Sequence, residues 1–225
     1  MCNSACLRFG SDAIAPVYVR GRRVLEVGAL DVNGSLRSTL EAFAPAEYCG
    51  VDLVDGPGVD VVCDAVELID RFGAERWDVV VCTEMLEHVW DWRRVVSNLK
   101  RSLAAGGMLV LTTRSPGFPY HPFPFDFWRY DTLDARHIFG DLEQLRVEGD
   151  PEMPGVFVTG VRGESFVERD LTDCGVFSVL RNERVTSMTL APLEEFVATL
   201  EGTQTSIAEQ LSSHRRLLAA LARPT

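Results

Sequence analysis

No apolar run in this 225-residue sequence approaches the roughly 18 residues that a single membrane-crossing helix needs, so no bilayer-spanning segment is expected. The opening stretch, MCNSACLRFG, has neither the basic nor the apolar region of a secretory leader, and export is not expected either. Basic residues are in the minority. The 22 Lys and Arg stand against 33 Asp and Glu, a formal charge of −11, and a field of that sign repels a phosphate backbone, which removes nucleic acid from the expected partners. The short basic run Arg20, Arg22, Arg23 reads as a solvated approach to an apolar strand. Glycine is sparse where a dinucleotide site would need it: there is no G-x-G-x-x-G, which argues against a nicotinamide oxidoreductase. Cys2 and Cys6 have no second Cys or His pair at ligand spacing, so structural zinc is not expected there. The other cysteines are 49, 63, 82 and 174; Cys63 and Cys82 sit in apolar runs, where a thiol behaves as a small hydrophobe, and this suits a reducing cytoplasm. Internal repeats and low-complexity tracts are also absent.

What is present is an alternation of apolar strands and amphipathic helices. RVLEVG (23–28), EYCGVD (47–52), VDVVCD (59–64), WDVVVCT (77–83) and MLVLTT (108–113) read as strands, and continuous β-branched runs of this kind belong in a parallel sheet covered on both faces. Helices are expected over Ser35 to Ala44, over Asp91 to Leu103 with Trp92, Val95, Val96 and Leu99 on one face, and over 133–139; AAGG (104–107) reads as the stop of the second. Strands alternating with helices imply right-handed βαβ units, and hence a doubly wound, mostly parallel seven-stranded sheet. LEQLRVEGD and GVFVTGVRG read as an antiparallel pair closing its edge. The main domain is expected over 1–164, with a short lead over 1–20. Residues 165–225 read as a mainly helical extension whose closing helix, with a Ser206/Glu209 capping box, either packs on the domain or forms a homodimer seam.

Ligands of an open α/β sheet bind beyond the C-terminal ends of its strands. Four of those ends carry acids: Glu26, Asp52, Asp64 and Glu84. A rim of carboxylates disfavours a pyrophosphate. It suits a neutral or cationic ligand with hydroxyls and amines to donate, the acid after the second strand accepting from a ribose diol. S-adenosylmethionine (SAM), with its sulfonium and amino groups, has that profile.

Taken together, VLEVGALDVNGS, YCGVDL, VVCDA, WDVVVCTEMLEHV and LAAGGMLVLTT resemble the successive motifs of class I SAM-dependent methyltransferases over about residues 22–162. The resemblance implies the Rossmann-like fold of that family. It also implies that Glu26, Gly28 and Ala29 line the methionine end of SAM, that Asp52 and Leu53 meet the ribose, that Asp64 and Ala65 face the adenine, and that Thr83 and Glu84 lie beneath the sulfonium. Leu30 and Val32 stand where the family usually has two further glycines.

The acceptor side is less regular. In EMLEHV, Glu84, Glu87 and His88 fall at i, i+3 and i+4, and His88 is either a general base or a positional residue. The segment 115–131 holds four prolines and seven aromatics, a composition that excludes a helix or a central strand and reads as a long structured loop. His121 in it is a second candidate base, with Asp126 to orient it. Tyr120, Trp128, Arg129 and Tyr130 are expected to contact a small polar acceptor, a saccharide or oligosaccharide first, unless the loop is a packed lid. A divalent ion such as Mg2+ would be held through Asp126 and Glu87. The expected reaction is methyl transfer to a hydroxyl oxygen, helped by a histidine base; transfer to nitrogen or a carboxylate, or SAM binding without turnover, are the alternatives.

Overall fold

Residues 3–121, 125–189, 191, 194–195 and 197–199 are described by the structure, a computed structural model. The chain divides into two units, 1–186 and 187–225. In the first, the elements run α1 (Ser4–Ala13), α2 (Pro16–Val19), β1 (Arg23–Val27), α3 (Arg37–Glu41), β2 (Glu47–Asp52), β3 (Val61–Val62), α4 (Leu68–Phe72), β4 (Trp77–Thr83), α5 (Trp92–Ser102), β5 (Leu103–Arg114), β6 (Trp128–Arg129), α6 (Thr132–Ile138), β7 (Glu143–Gly149), β8 (Gly155–Val161), β9 (Val176–Ser178) and β10 (Glu183–Val185). None of the described helices is long and apolar enough to cross a membrane.

The β-branched runs form one seven-stranded sheet in the order β3-β2-β1-β4-β5-β8-β7. Strands β1 to β5 pair in parallel, and β8 runs antiparallel between β5 and the edge strand β7. Val24, Leu25, Val79, Val80 and Val81 have no exposed surface, as expected where both faces of a parallel sheet are covered. The strand order reverses between β1 and β4, so a crevice opens beyond their C-terminal ends. Helix α5 begins at Asp91, whose side chain accepts from the Arg94 amide, and buries Trp92, Val95, Val96 and Leu99.

Four features differ from the sequence expectations. AAGG does not stop α5 as a glycine cap: Leu103 is buried opposite Trp77, so the chain turns directly into β5, and the glycines serve a register shift between Trp77 and Val79. A Cβ on Gly107 would lie 3.0 Å from the Trp77 carbonyl oxygen, which is why glycine stands there. The N-terminal lead contains α1, capped by Asn3 and seated through Ala5, Cys6 and Phe9, with the Phe9 ring stacked 4.7 Å from Phe157. The first unit also continues past the expected boundary at 164. Hairpin β9/β10 pairs with β6, so Trp128 and Arg129 of the segment expected to be a long loop form one strand of a three-stranded sheet. The capping box at Ser206 and the closing helix lie outside the described residues.

Candidate active site

A cavity of about 580 Å³ occupies the crevice, a volume suited to a small organic ligand. Its walls include Glu26, Gly28, Ala29, Asp52, Leu53, Asp64, Ala65, Thr83 and Glu84, all expected at a cofactor, and His88 and His121 from the acceptor side.

Each cofactor-side group is set by main-chain geometry. Glu26 is buried at the end of β1 and accepts from Tyr48 Oη at 2.8 Å and from Ser35 Oγ at 3.1 Å, so it ties the following turn to the sheet. Burial pushes its carboxyl up, while the Tyr48 and Ser35 contacts oppose that. Gly28 follows with φ +80, and a Cβ there would lie 2.6 Å from the Met85 Cβ; glycine is what lets β1 and the chain after β4 approach. Asp52 accepts from the Leu30 amide at 3.1 Å and the Val54 amide at 3.3 Å. Asp64 caps a 3-10 turn (Ala65–Glu67) through the Val66 amide at 3.0 Å. Leu53 is 58% exposed at the rim.

Glu84 shares burial with Glu26 but differs from the other three acids in its backbone and its partners. It is buried, it adopts φ +55, a region that non-glycine residues seldom enter, and its amide donates to the Thr112 carbonyl at 2.9 Å. Its carboxylate pairs with Arg114 and accepts from Cys6 Sγ at 3.4 Å. Burial and the charge of Glu87 push it up to about 7, with Arg114 opposing. Arg114 in turn reaches Asp150 at 3.3 Å, and Asp150 accepts from Asn3 at 2.8 Å, so α1 is tied to the cavity floor. Arg114 is legible in the sequence as the strand-end residue of β5, though not as the partner of Glu84, whereas Cys6 was not expected here.

On the acceptor side, Glu87, His88 and His121 come together. Glu87 is fully buried, and its Oε2 accepts from Thr113 Oγ1 at 2.9 Å. Oε1 lies 3.8 Å from His88 Nε2 and 3.6 Å from His121 Nε2. His88 Nδ1 is 2.7 Å from the Phe125 carbonyl oxygen; a carbonyl can only accept, so Nδ1 carries the proton and a neutral His88 keeps its lone pair on Nε2. His121 Nδ1 is 2.9 Å from Asp126 Oδ2. Burial would lower His121, but Asp126 and Glu87 outweigh it and push it up to about 9. A histidine pushed up in this way favours its protonated, donating form, which weighs against the expected role of His121 as a base.

The aromatic loop departs further from expectation. Trp128, Arg129 and Tyr130 are buried and stand off the cavity wall. Trp128 donates to the Val89 carbonyl at 2.8 Å, Tyr130 packs edge-on against Trp92, and Arg129 grips both oxygens of Asp126. Tyr120 is half-buried and also stands off that wall. Asp126 is consumed by Arg129, the His121 amide at 2.9 Å and the His121 ring, so it backs His121 and does not point a free oxygen at Glu87 as a shared Mg2+ site would require. Val89, Trp90 and Phe127 line the cavity instead, the last two edge-to-face at 5.3 Å. Trp90 directly follows EMLEHV, a position the sequence reading gave no role.

The family model described as a methyltransferase domain matches residues 7–148. The chain belongs to this family. A ubiquinone biosynthesis O-methyltransferase of Idiomarina loihiensis is 29% identical to this chain over 133 residues, 53% of this chain and 51% of that protein. The chain spans about half the length of the curated relatives it matches. Among solved structures, the 1,6-didemethyltoxoflavin-N1-methyltransferase of Burkholderia thailandensis, with S-adenosylhomocysteine bound, aligns with TM-score 0.55 at 14% identity, over 72% of this chain and 80% of that one. Phosphoethanolamine N-methyltransferase 2 of Haemonchus contortus, in complex with S-adenosyl-L-methionine, aligns with TM-score 0.53 at 16% identity, over 69% and 52%. At such identities the likeness establishes the fold, that of the class I SAM-dependent methyltransferases.

Proposed function

We propose that the protein binds SAM in the crevice and transfers its methyl group to a hydroxyl oxygen of a small, ring-bearing polar acceptor. The observation that carries this reading is the convergence of the four strand-end acids and the Glu87, His88 and His121 cluster on one cavity. Asp52 would accept from the ribose hydroxyls, and Asp64 with Ala65 would meet the adenine. Glu26 and the Gly28–Ala29 turn would hold the methionine end, with Thr83 and Glu84 beneath the sulfonium. Trp90 and Phe127 supply flat apolar faces for the acceptor ring.

Transfer is an in-line displacement: the acceptor oxygen attacks the methyl carbon, the carbon–sulfur bond breaks with its electron pair on sulfur, and the hydroxyl proton must leave. His88 Nε2, whose lone pair is fixed by the Phe125 contact, takes that proton in the metal-free enzyme. A saccharide is the first acceptor class, since aromatic faces with adjacent hydrogen-bonding imidazoles suit a polyol ring. A phenolic ring is the second, favoured by the ubiquinone O-methyltransferase relatives. Cys6, Cys49, Cys63 and Cys174 stand as free thiols, which supports work in a reducing compartment, the cytoplasm in this proposal.

The test is a product screen with labelled SAM against saccharides, phenols, amines and carboxylates. The proposal requires methyl ethers, and it requires His88→Ala to lower kcat by two orders of magnitude or so while SAM affinity holds. Label appearing only on nitrogen or as a methyl ester would refute it.

A further inference from the structure

The cluster of Glu87, His88 and His121 has the chemistry of a cation site as well as of a base. Oε1 of Glu87 and one ring nitrogen from each histidine lie within 4.8 Å of one another. The two measured separations, 3.8 Å and 3.6 Å, are too long for hydrogen bonds. They are close to the about 3.0 to 3.5 Å that ligands held near 2.1 Å from one ion impose on each other. Glu87 is fully buried, and its Oε1 accepts no hydrogen bond of ordinary length from a described residue. A buried carboxylate oxygen without a donor is costly unless something positive satisfies it.

Both imidazoles are also oriented as metal ligands commonly are. His88 Nδ1 is hydrogen-bonded to the Phe125 carbonyl, which aims its Nε2 inward and raises its basicity, and the Asp126 carboxylate stands 2.9 Å from His121 Nδ1 as an ion-pair contact off hydrogen-bond geometry. Arg129 fixes Asp126 in that supporting role. His88 and His121 line the cavity while Glu87 lies behind them, so the side open to a further ligand faces the acceptor region.

We propose that Glu87, His88 and His121 bind one divalent transition-metal cation, Zn2+, Mn2+ or Co2+ in type, whose open side takes the acceptor hydroxyl. Two nitrogen donors and one carboxylate favour such ions over Mg2+, and three protein ligands with one open position form a catalytic arrangement. Cation and proton compete for each Nε2, so loading releases the imidazole proton. The coordinated hydroxyl then loses its proton to solvent and its oxygen attacks the sulfonium methyl. The methyl ether and S-adenosylhomocysteine result, without His88 as base. The acceptor's position rests on the function proposed above; cation binding does not.

The experiment is titration of the full, chelator-treated chain with Co2+, followed by calorimetry and visible absorption, with SAM binding measured in parallel to show that each variant is folded. One Co2+ per chain, with d–d bands and no thiolate charge-transfer band, is expected. His88→Ala and His121→Ala should each weaken it by tenfold or more, and Asp126→Asn by about tenfold through loss of support to His121. Absence of Co2+ binding, binding unaffected by both histidine variants, or a thiolate band would overturn the assignment. Site-specific binding without methylation of any hydroxylated acceptor would uphold the cation site and fail the proposed reaction. Chelator-insensitive methyl ether formation with no Co2+ bound would do the reverse.

Discussion

The two ends of the cavity hold their charges in opposite ways. On the cofactor side, Asp52 and Asp64 line the crevice and, among the described residues, accept from nearby backbone amides. On the acceptor side, Asp126, Arg129 and His121 neutralise one another inside the loop. Parallel strands end in register, so topology alone carries acids to one rim, where a ligand can complete their hydrogen bonding. A proline-rich loop has no ladder to shape it. It is held by buried side-chain pairs, and removing one partner strands the other.

The largest effect should therefore come from the acceptor side. Arg129→Met takes from the buried Asp126 its bidentate partner and leaves it His121 alone, and should cost about 3 kcal/mol, read as a fall in the denaturant midpoint at unchanged m-value. An effect under about 1 kcal/mol would mean that the loop is not built on this pair. Gly28→Ala forces a side chain into φ +80 and onto Met85. It should cost about 2 kcal/mol and remove SAM binding, and retained affinity would show the turn to be less constrained than it looks. Asp52→Ala should weaken SAM by at least about tenfold, or 1.4 kcal/mol of binding, while the thermal midpoint moves little. That split between affinity and stability is the opposite of the Arg129 prediction.

The smallest effect belongs to the exposed pair Arg37–Asp60, whose oxygen also accepts from the Gly50 amide at 2.7 Å. Burial opposes ionisation of Asp60, but Arg37 and the amide outweigh it and hold the carboxyl low. A depressed acid stabilises the fold above its unfolded value near pH 4, and that contribution fades as pH falls through the folded one. Asp60→Asn should thus lose under about 1 kcal/mol at pH 7 and progressively less on acidification. A gap that widens at low pH would contradict the sign.

The same contrast explains what could be read in advance. Glu26, Asp52, Asp64 and Glu84 were legible because strand periodicity and strand-end position are properties of the chain itself. The loop's composition announced an irregular segment but not its partners. Trp128 and Arg129 pair with Phe177 and Ser178, about fifty residues on, and that choice is made by tertiary packing. Likewise α1 was missed because Ala5, Cys6, Phe9 and Gly10 form a short apolar face, one that matters only once Leu36 and Phe157 are set against it.

The measurement that bears most directly on the account is calorimetric titration of the purified chain with SAM and S-adenosylhomocysteine, with NAD as control. One site per chain with micromolar affinity for the sulfur compounds, and none for NAD, is the predicted result. Binding of NAD without SAM or S-adenosylhomocysteine would mean that the four acids do not form a sulfonium-nucleoside site.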